Sequence, residues 1–296
     1  MISMMNTSED GKPWRGVLRV AGGCAVGLSL LLGVAAAGAT SAGAAVRPIP
    51  GSASLGSLPT IWQTWNNCGP AALAETLAYW GVGRTQGAIA AALRVDGTAH
   101  GMGPYGVPTF VSGLGLRTVI GVAGSATLLK TLLSMGYPVI VTQWVSLADH
   151  TSHYRTLTAY DDKQGVFVSS DSYLGPNHAI SYADFAAMWA EDDNRFLVLS
   201  PPARYSALVA ALATAGWTPR SAYRHDLTWA QARLAAPVAG VASWSMPVAV
   251  PGAPFLRLAW DEAQLGATAA ARQDLRRAAV AGAASSTLDW ITAQTR

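Results

Sequence analysis

Cysteine is almost missing from this chain, and charge is scarce. Of 296 residues only Cys24 and Cys68 are cysteines, and charged residues make up 12%. Lysine is rarer than its class: Lys12, Lys130 and Lys163 are all there are, so the formal net charge of +3 rests on arginine. No basic cluster stands out beyond the pair Arg276-Arg277, which leaves no electrostatic footprint for nucleic acid. The five histidines are scattered, and with one cysteine outside the N-terminal apolar run they make no zinc ligand set. Neither a metal nor an organic cofactor is implied. Cys24 lies inside that apolar run, so an exported domain without it holds a single thiol and no intramolecular disulfide. What the chain does have is apolar material, 51% of its residues, enough for one large or two modest domains.

The apolar run is a targeting segment. Lys12, Arg15 and Arg19 precede an uncharged stretch from Val20 to Val46, and Ala42-Gly43-Ala44 near its end reads as an A-x-A cleavage site. Residues 1–46 are read first as a cleaved export signal and second as an uncleaved N-terminal membrane anchor. Either way the remainder is extracytoplasmic, secreted or anchored, with membrane contact confined to this segment. Residues 47–58, rich in Pro, Gly and Ser, read as a linker, 59–202 as a first compact domain and 203–296 as an Ala-rich helical region.

The remaining thiol sits at a helix start. Pro70 suits a first helical position, Leu73, Leu77 and Trp80 recur at helical spacing, and Gly81 is a good residue to close the helix. The positive end of the helix dipole favours a thiolate at Cys68, and Gly69 leaves the adjacent backbone uncovered for a substrate carbonyl. A free cysteine is also commonly a small core residue. On the local sequence both readings stand open.

Further along, helices are expected over 86–93, 107–114 and 126–134, with a Gly- and Pro-rich loop over 96–108 that could border a cleft. The pattern then changes to strands over 138–145, 153–160, 166–170 and 195–200, with a short helix at 184–189. Helices first and strands afterwards is an α+β order. If the hairpin folds about Asp162 and Lys163, facing residue numbers sum to about 325. His153 then lies almost opposite Asp171, which brings an imidazole and a carboxylate to one rim of the sheet. A cysteine nucleophile needs that pair, a base and a group to orient it. His150 is the runner-up base, His178 falls in a turn, His100 in the Gly-rich loop and His225 on the surface; Asp161 and Asp162 form a turn.

Gln63-Thr-Trp-Asn-Asn-Cys68-Gly-Pro, His153-Tyr with Tyr160-Asp-Asp, and Asp171-Ser-Tyr, in this order, resemble the papain-like double-glycine cysteine peptidases that process bacteriocin leaders, in particular their stand-alone branch. The similarity spans about residues 59–202. It implies a papain-like α+β fold, with N-terminal helices on an antiparallel sheet, and implies roles. Cys68 would be the nucleophile, His153 the general base, Asp171 its orienting acid, and Gln63 the side-chain donor to the oxyanion. In many relatives proline follows the acid; here Ser172 does, an exchange read as neutral because the aspartate is kept. The processing peptidases are fused to transporter segments that this chain does not carry, so the double-glycine leader does not transfer as substrate.

Residues 255–265 and 269–281 read as two antiparallel helices joined at Gly266, with a weak tetratricopeptide-like spacing. One repeat rarely stands alone, so these helices should pack on the first domain or on an imperfect copy around 205–234, and they could carry a protein partner. The whole then reads as an exported thiol hydrolase that cleaves peptide bonds, with a peptide or protein as substrate. The alternatives are a cell-wall peptide amidase, a transglutaminase-like acyl transferase, or a non-catalytic peptide-binding module of the same fold.

Overall fold

From β1 (Ser52–Ser54) the chain enters α1 (Cys68–Tyr79), α2 (Gln86–Leu93) and α3 (Val107–Ser112). β2 (Arg117–Gly121) and α4 (Ala126–Ser134) lead to a run of strands, β3 (Val139–Trp144), β4 (Ser152–Asp161), β5 (Val166–Asp171) and β6 (Gly175–Ser181). α5 (Tyr182–Trp189) and β7 (Phe196–Ser200) complete the sheet-bearing part. α6 (Pro202–Thr214), α7 (Pro219–Ala235), α8 (Ala253–Gln264), α9 (Thr268–Val280) and α10 (Ser285–Thr292) follow. The computed structural model describes residues 48–95, 100–235 and 250–295. The segment read for export lies outside them, as do 96–99 of the Gly-rich loop and most of the connection between α7 and α8. Among the described residues no helix is long and apolar enough to cross a membrane.

The strands form one antiparallel sheet in the order β2-β7-β3-β4-β5-β6, with β1 pairing with β4 beyond the end of β3. This is the expected α+β architecture, helices packed on an antiparallel sheet with further helices at the C-terminal end. β7 is buried at every position and β3 at all but its last, the mark of central strands. α1 begins at Cys68 itself, so Pro70 is its third residue; the first-turn amides have no helical partner, and proline is tolerated there. Gly81 ends the helix at φ +77°, with the Val82 N–H returning to the Leu77 carbonyl at 2.9 Å.

Three strands escape the periodicity. β1 lies within the stretch read as linker, and β2 follows a helix without an alternating pattern of its own. β6 contains the Gly-Pro-Asn read as a turn, and places His178 opposite Ser169. It is an edge strand, where proline removes no needed ladder bond.

The hairpin register also differs. Asp161 faces Val166 and Tyr160 faces Phe167, and an irregularity between Leu157 and Ala159 then shifts the pairing so that Thr156 faces Ser170. Continued by one residue, this sets Arg155 opposite Asp171 and leaves His153 on the diagonal. The hairpin turns one residue later than the sequence suggests, between Lys163 and Gln164, where Asp161 Oδ1 accepts the N–H groups of both.

The C-terminal helices close one edge of the sheet. Trp217 Nε1 donates to the Val122 carbonyl at 2.8 Å and the Tyr223 hydroxyl to the Ile120 carbonyl, which covers polar groups that an edge strand would otherwise expose. Behind them, Arg257 of α8 reaches Asp226 of α7 and Asp192, whose other oxygen accepts the Thr142 hydroxyl of β3 at 2.6 Å. Apolar residues of α6, α7, α8, α9 and α10 join those of the sheet in one buried cluster. The Gly-rich loop is pinned between these parts: Tyr105 packs on Trp260, and Trp290 lies so close to Gly106 that a Cβ there would meet its ring at 2.6 Å.

Candidate active site

Burial of Cys68 at the first residue of α1 puts a thiol at a helix N-terminus, 4% exposed, with Asn67 before it. The helix packs across β4: the Thr156 hydroxyl bonds to the Ala72 carbonyl at 3.3 Å, and the missing side chain of Gly69 makes room for Met102 and Tyr154. A Cβ at Gly69 would stand 2.9 Å from Met102 Cε and 3.2 Å from the Tyr154 ring. Gly69 therefore serves close packing inside the fold, its missing side chain facing Met102 and Tyr154. The Tyr154 hydroxyl in turn donates to the Met102 carbonyl at 3.0 Å, so the Gly-rich loop is fastened directly beneath the nucleophile position.

His153, second residue of β4, is buried next to the thiol. Its Nε2 lies 2.9 Å from Asp171 Oδ1, and its ring acts on the Cys68 thiol, whose pKa it lowers. Since Nε2 is engaged by the carboxylate, Nδ1 is the nitrogen left for the thiol. Asp171, the last residue of β5, uses the same Oδ1 to accept the N–H groups of Tyr173 and Leu174 at 2.8 and 2.9 Å. Its Oδ2 faces Arg155 Nε at 2.9 Å.

Electrostatics follow from this arrangement. Burial opposes charge on the Cys68 thiol, but the hydrogen bond and charge of His153, with the N–H groups of Tyr154 and Gly69, carry its pKa below the ordinary value. Burial likewise opposes the His153 imidazolium, and Asp171 and Cys68 overcome it, raising the pKa to about 9. Asp171 is held well below the usual carboxylate range: burial works against this, and His153, Arg155 and the Leu174 N–H prevail. The arrangement therefore shifts Cys68 toward thiolate and His153 toward imidazolium, beside an ionised carboxylate.

Gln63 is half-buried on the segment leading to α1. That segment is held down residue by residue. The Ile61 N–H goes to Glu75 Oε1 at 2.9 Å, Gln86 binds the Trp62 carbonyl and the Thr64 N–H, and the Gln63 N–H donates to the Ser172 carbonyl at 2.9 Å. The Gln63 side chain bonds to the same residue, its Oε1 accepting the Ser172 hydroxyl at 2.8 Å. The structure thus brings Cys68, His153 and Asp171 together, with His153 hydrogen-bonded to Asp171, and ties Gln63 to the turn that follows Asp171.

The other histidines stand apart from this group. His150 is exposed and stacks on Trp144 with ring centroids 3.7 Å apart. His225 pairs with Asp193 at 3.1 Å beside α7. Among the described residues no cluster of His, Cys, Asp or Glu could hold a metal ion.

Sequence reasoning missed three neighbours. Arg155 was hidden by the register shift. Glu75, fully buried in α1, was overlooked although it is the one acidic residue of that helix and lies seven positions, two turns, after Cys68. Burial pushes its carboxyl up to about 7. Ser172 was seen and set aside. Around the buried site the surface turns aromatic: Trp62, Trp65 and Tyr173 are exposed, Trp65 by 79%, and Tyr173 meets the His153 ring edge-on at 6.4 Å.

The sequence match points the same way as this geometry. Residues 57–195 match the Peptidase_C39 like family. Over that segment, somewhat less than half of the chain, the sequence is similar to that family. No curated protein matches the chain at a significant level. Among solved structures, a protein from Bacillus anthracis described as a C39-like peptidase is 18% identical, with a TM-score of 0.41 over 50% of this chain and 96% of its own. A double glycine motif protease from an AMS/PCAT transporter, in complex with its leader peptide, is 20% identical, with a TM-score of 0.38 over 49% of this chain and 91% of its own. The peptidase domain of Streptococcus ComA, a bi-functional ABC transporter, is 19% identical, with a TM-score of 0.38 over 48% and 96%.

Proposed function

We propose that the chain is an exported cysteine peptidase in which Cys68, His153 and Asp171 hydrolyse a peptide bond. The observation that carries this reading is the bond from His153 Nε2 to Asp171 Oδ1 on a ring that lowers the pKa of the buried Cys68 thiol. Such a set supplies nucleophile, proton carrier and orienting anion in the order that acyl transfer requires.

The Cys68 thiolate attacks the carbonyl carbon, a C–S bond forms, and the electron pair moves to the carbonyl oxygen. The Gln63 side-chain amide and the Cys68 N–H at the helix start donate to that oxyanion. As the intermediate collapses, the C–N bond breaks and the His153 imidazolium gives its proton to the departing amine. Neutral His153 then takes a proton from water, the hydroxide attacks the thioester, and the thiolate leaves with imidazolium restored. Asp171 keeps the ring oriented throughout and remains ionised. On this reading residues 1–46 export the chain, and the peptides it cuts are met outside the cytoplasm.

The test compares the full chain with its Cys68→Ala variant on a peptide library and on cell-wall peptide fragments, reading new termini by mass spectrometry. Cleavage by the native chain alone is expected. Absence of cleavage, together with Cys68 reacting at pH 7 no faster than free cysteine, would sink the reading. Transfer of the acyl group to an added amine in place of water would move the assignment to a transferase.

A further inference from the structure

Ser172 offers two groups to one residue. Its carbonyl accepts the Gln63 N–H at 2.9 Å, and its hydroxyl donates to Gln63 Oε1 at 2.8 Å. It is buried, and its place is set by Asp171, whose Oδ1 gathers the next two N–H groups of the same turn. A primary amide has an acceptor end and a donor end of nearly the same shape. Only the donor end stabilises an oxyanion; the acceptor end would repel it. Some partner must therefore decide which end faces the reacting carbonyl, and a hydroxyl that donates to Oε1 does so. Gln63 Nε2 carries no hydrogen bond to the described residues and is the free end.

We propose that Ser172 is a positioning residue for the oxyanion hole, fixing the orientation of the Gln63 amide through its hydroxyl. The proposal rests on the peptidase reading of Cys68 and Gln63. It makes one turn serve two functions: Asp171 orients the base, and the residue after it orients the oxyanion donor. A change at Ser172 is felt by reactions that pass through an oxyanion and not by those that merely use the thiolate.

Two probes separate these. p-Nitrophenyl acetate acylates Cys68 through a tetrahedral oxyanion and releases p-nitrophenolate. Iodoacetamide alkylates the same sulfur by direct displacement of iodide, with no oxyanion. On the full chain, Gln63→Ala should slow acylation roughly 100-fold, the usual effect of losing one such donor, and Ser172→Ala about tenfold, because the amide is then free to turn. Alkylation should stay within a factor of two in both. Ser172→Thr, which keeps the hydroxyl, should restore most of the acylation rate, and Ser172→Ala on top of Gln63→Ala should add nothing. Melting temperatures of each variant establish that all are folded.

An equal loss of acylation and alkylation in Ser172→Ala would show a general structural role and overturn the proposal, as would an unchanged acylation rate. If Gln63→Ala slows acylation and Ser172→Ala does not, the Ser172 assignment fails and the peptidase reading stands. If Gln63→Ala leaves acylation untouched, the role of Gln63 fails and the Ser172 assignment goes with it.

Discussion

At one end of β4 the protein buries Cys68, His153, Arg155 and Asp171; between the sheet and α8 it buries Asp192, Arg195, Asp226, Arg257 and Asp261. Both clusters place ionisable groups where charge is costly, and both answer by pairing. The second is closed off from the surface, although neither oxygen of Asp261 has a hydrogen bond among the described residues. Arg257 bonds to Asp226 and Asp192, Arg195 to Asp192, and burial beside Asp226 keeps a proton on Asp261, which faces that carboxylate. Asp193, pushed up to about 8 by burial and by Asp226, is nearby. The first cluster ends on a sulfur at a helix start, beside an exposed aromatic rim, with a glutamine amide whose donor end is free. Burial and perturbed titration are common to both, so neither marks a site alone. What separates them is the free end.

The largest effects should fall on opposite readouts. Cys68→Ala should abolish ester acylation, a loss of at least about 10³-fold, while unfolding free energy moves by about 1 kcal/mol. Asp226→Asn should do the reverse: leaving Arg257 with Asp192 alone, which Arg195 also uses, costs about 3–5 kcal/mol of stability by denaturant titration. The alkylation rate of Cys68 in that variant, measured where it is still folded, should stay within a factor of two. Loss of thiol reactivity in folded Asp226→Asn would join the two clusters into one functional unit and break the comparison.

The sequence showed the free end better than the closed one. Cys68 was legible because Pro70, Leu73, Leu77 and Gly81 outline a helix that begins at it, and His153 and Asp171 because a turn signal separates two β-rich runs. Helix bounds at 86–93 and 126–134 were legible as well, since Thr85 and Ser125 accept the N–H groups of Ala88 and Leu128 as caps. Arg155 was not, because a one-residue shift inside β4 depends on packing that no local pattern records. Ser172 was visible but mute, since its partner lies 109 residues away. The Arg257 cluster was invisible for the same reason, its acids coming from α7 and from the turn before β7.

The pH profile sharpens the contrast. His153, raised from 6.5 to about 9, contributes stability that is fully present below pH 6.5 and lost as pH rises through about 9. Asp171, depressed from 3.8, contributes stability present above its ordinary value and lost as pH falls through its folded one. The native chain should therefore alkylate readily at pH 7 and lose acyl transfer on a basic limb near pH 9, as the imidazolium that must protonate the leaving group disappears. Arg155→Met tests how the carboxylate is shared. Arg155 favours the thiolate and opposes the imidazolium, so without it both limbs should move to higher pH. Unshifted limbs would make Arg155 a packing residue.

The smallest effect concerns Glu75, the buried acid beneath the site. Burial lifts its carboxyl from 4.5 to about 7, so the folded state holds a proton there that the unfolded chain releases near pH 4.5. Stability is consequently lost as pH rises from 4.5 to about 7. Only Oε1 has a firm duty, accepting the Ile61 N–H that anchors the segment carrying Gln63, and Oε2 has no hydrogen bond among the described residues. Glutamine keeps an acceptor for Ile61 and cannot ionise. Glu75→Gln should match the native chain in unfolding free energy at pH 4.5 and exceed it by pH 8, with the ester acylation rate unchanged within a factor of two. A variant that lost stability equally at both pH values would show that the second oxygen has a partner worth keeping. It would also mean that charge at Glu75 is answered as fully as charge at Asp226, with no free end there either.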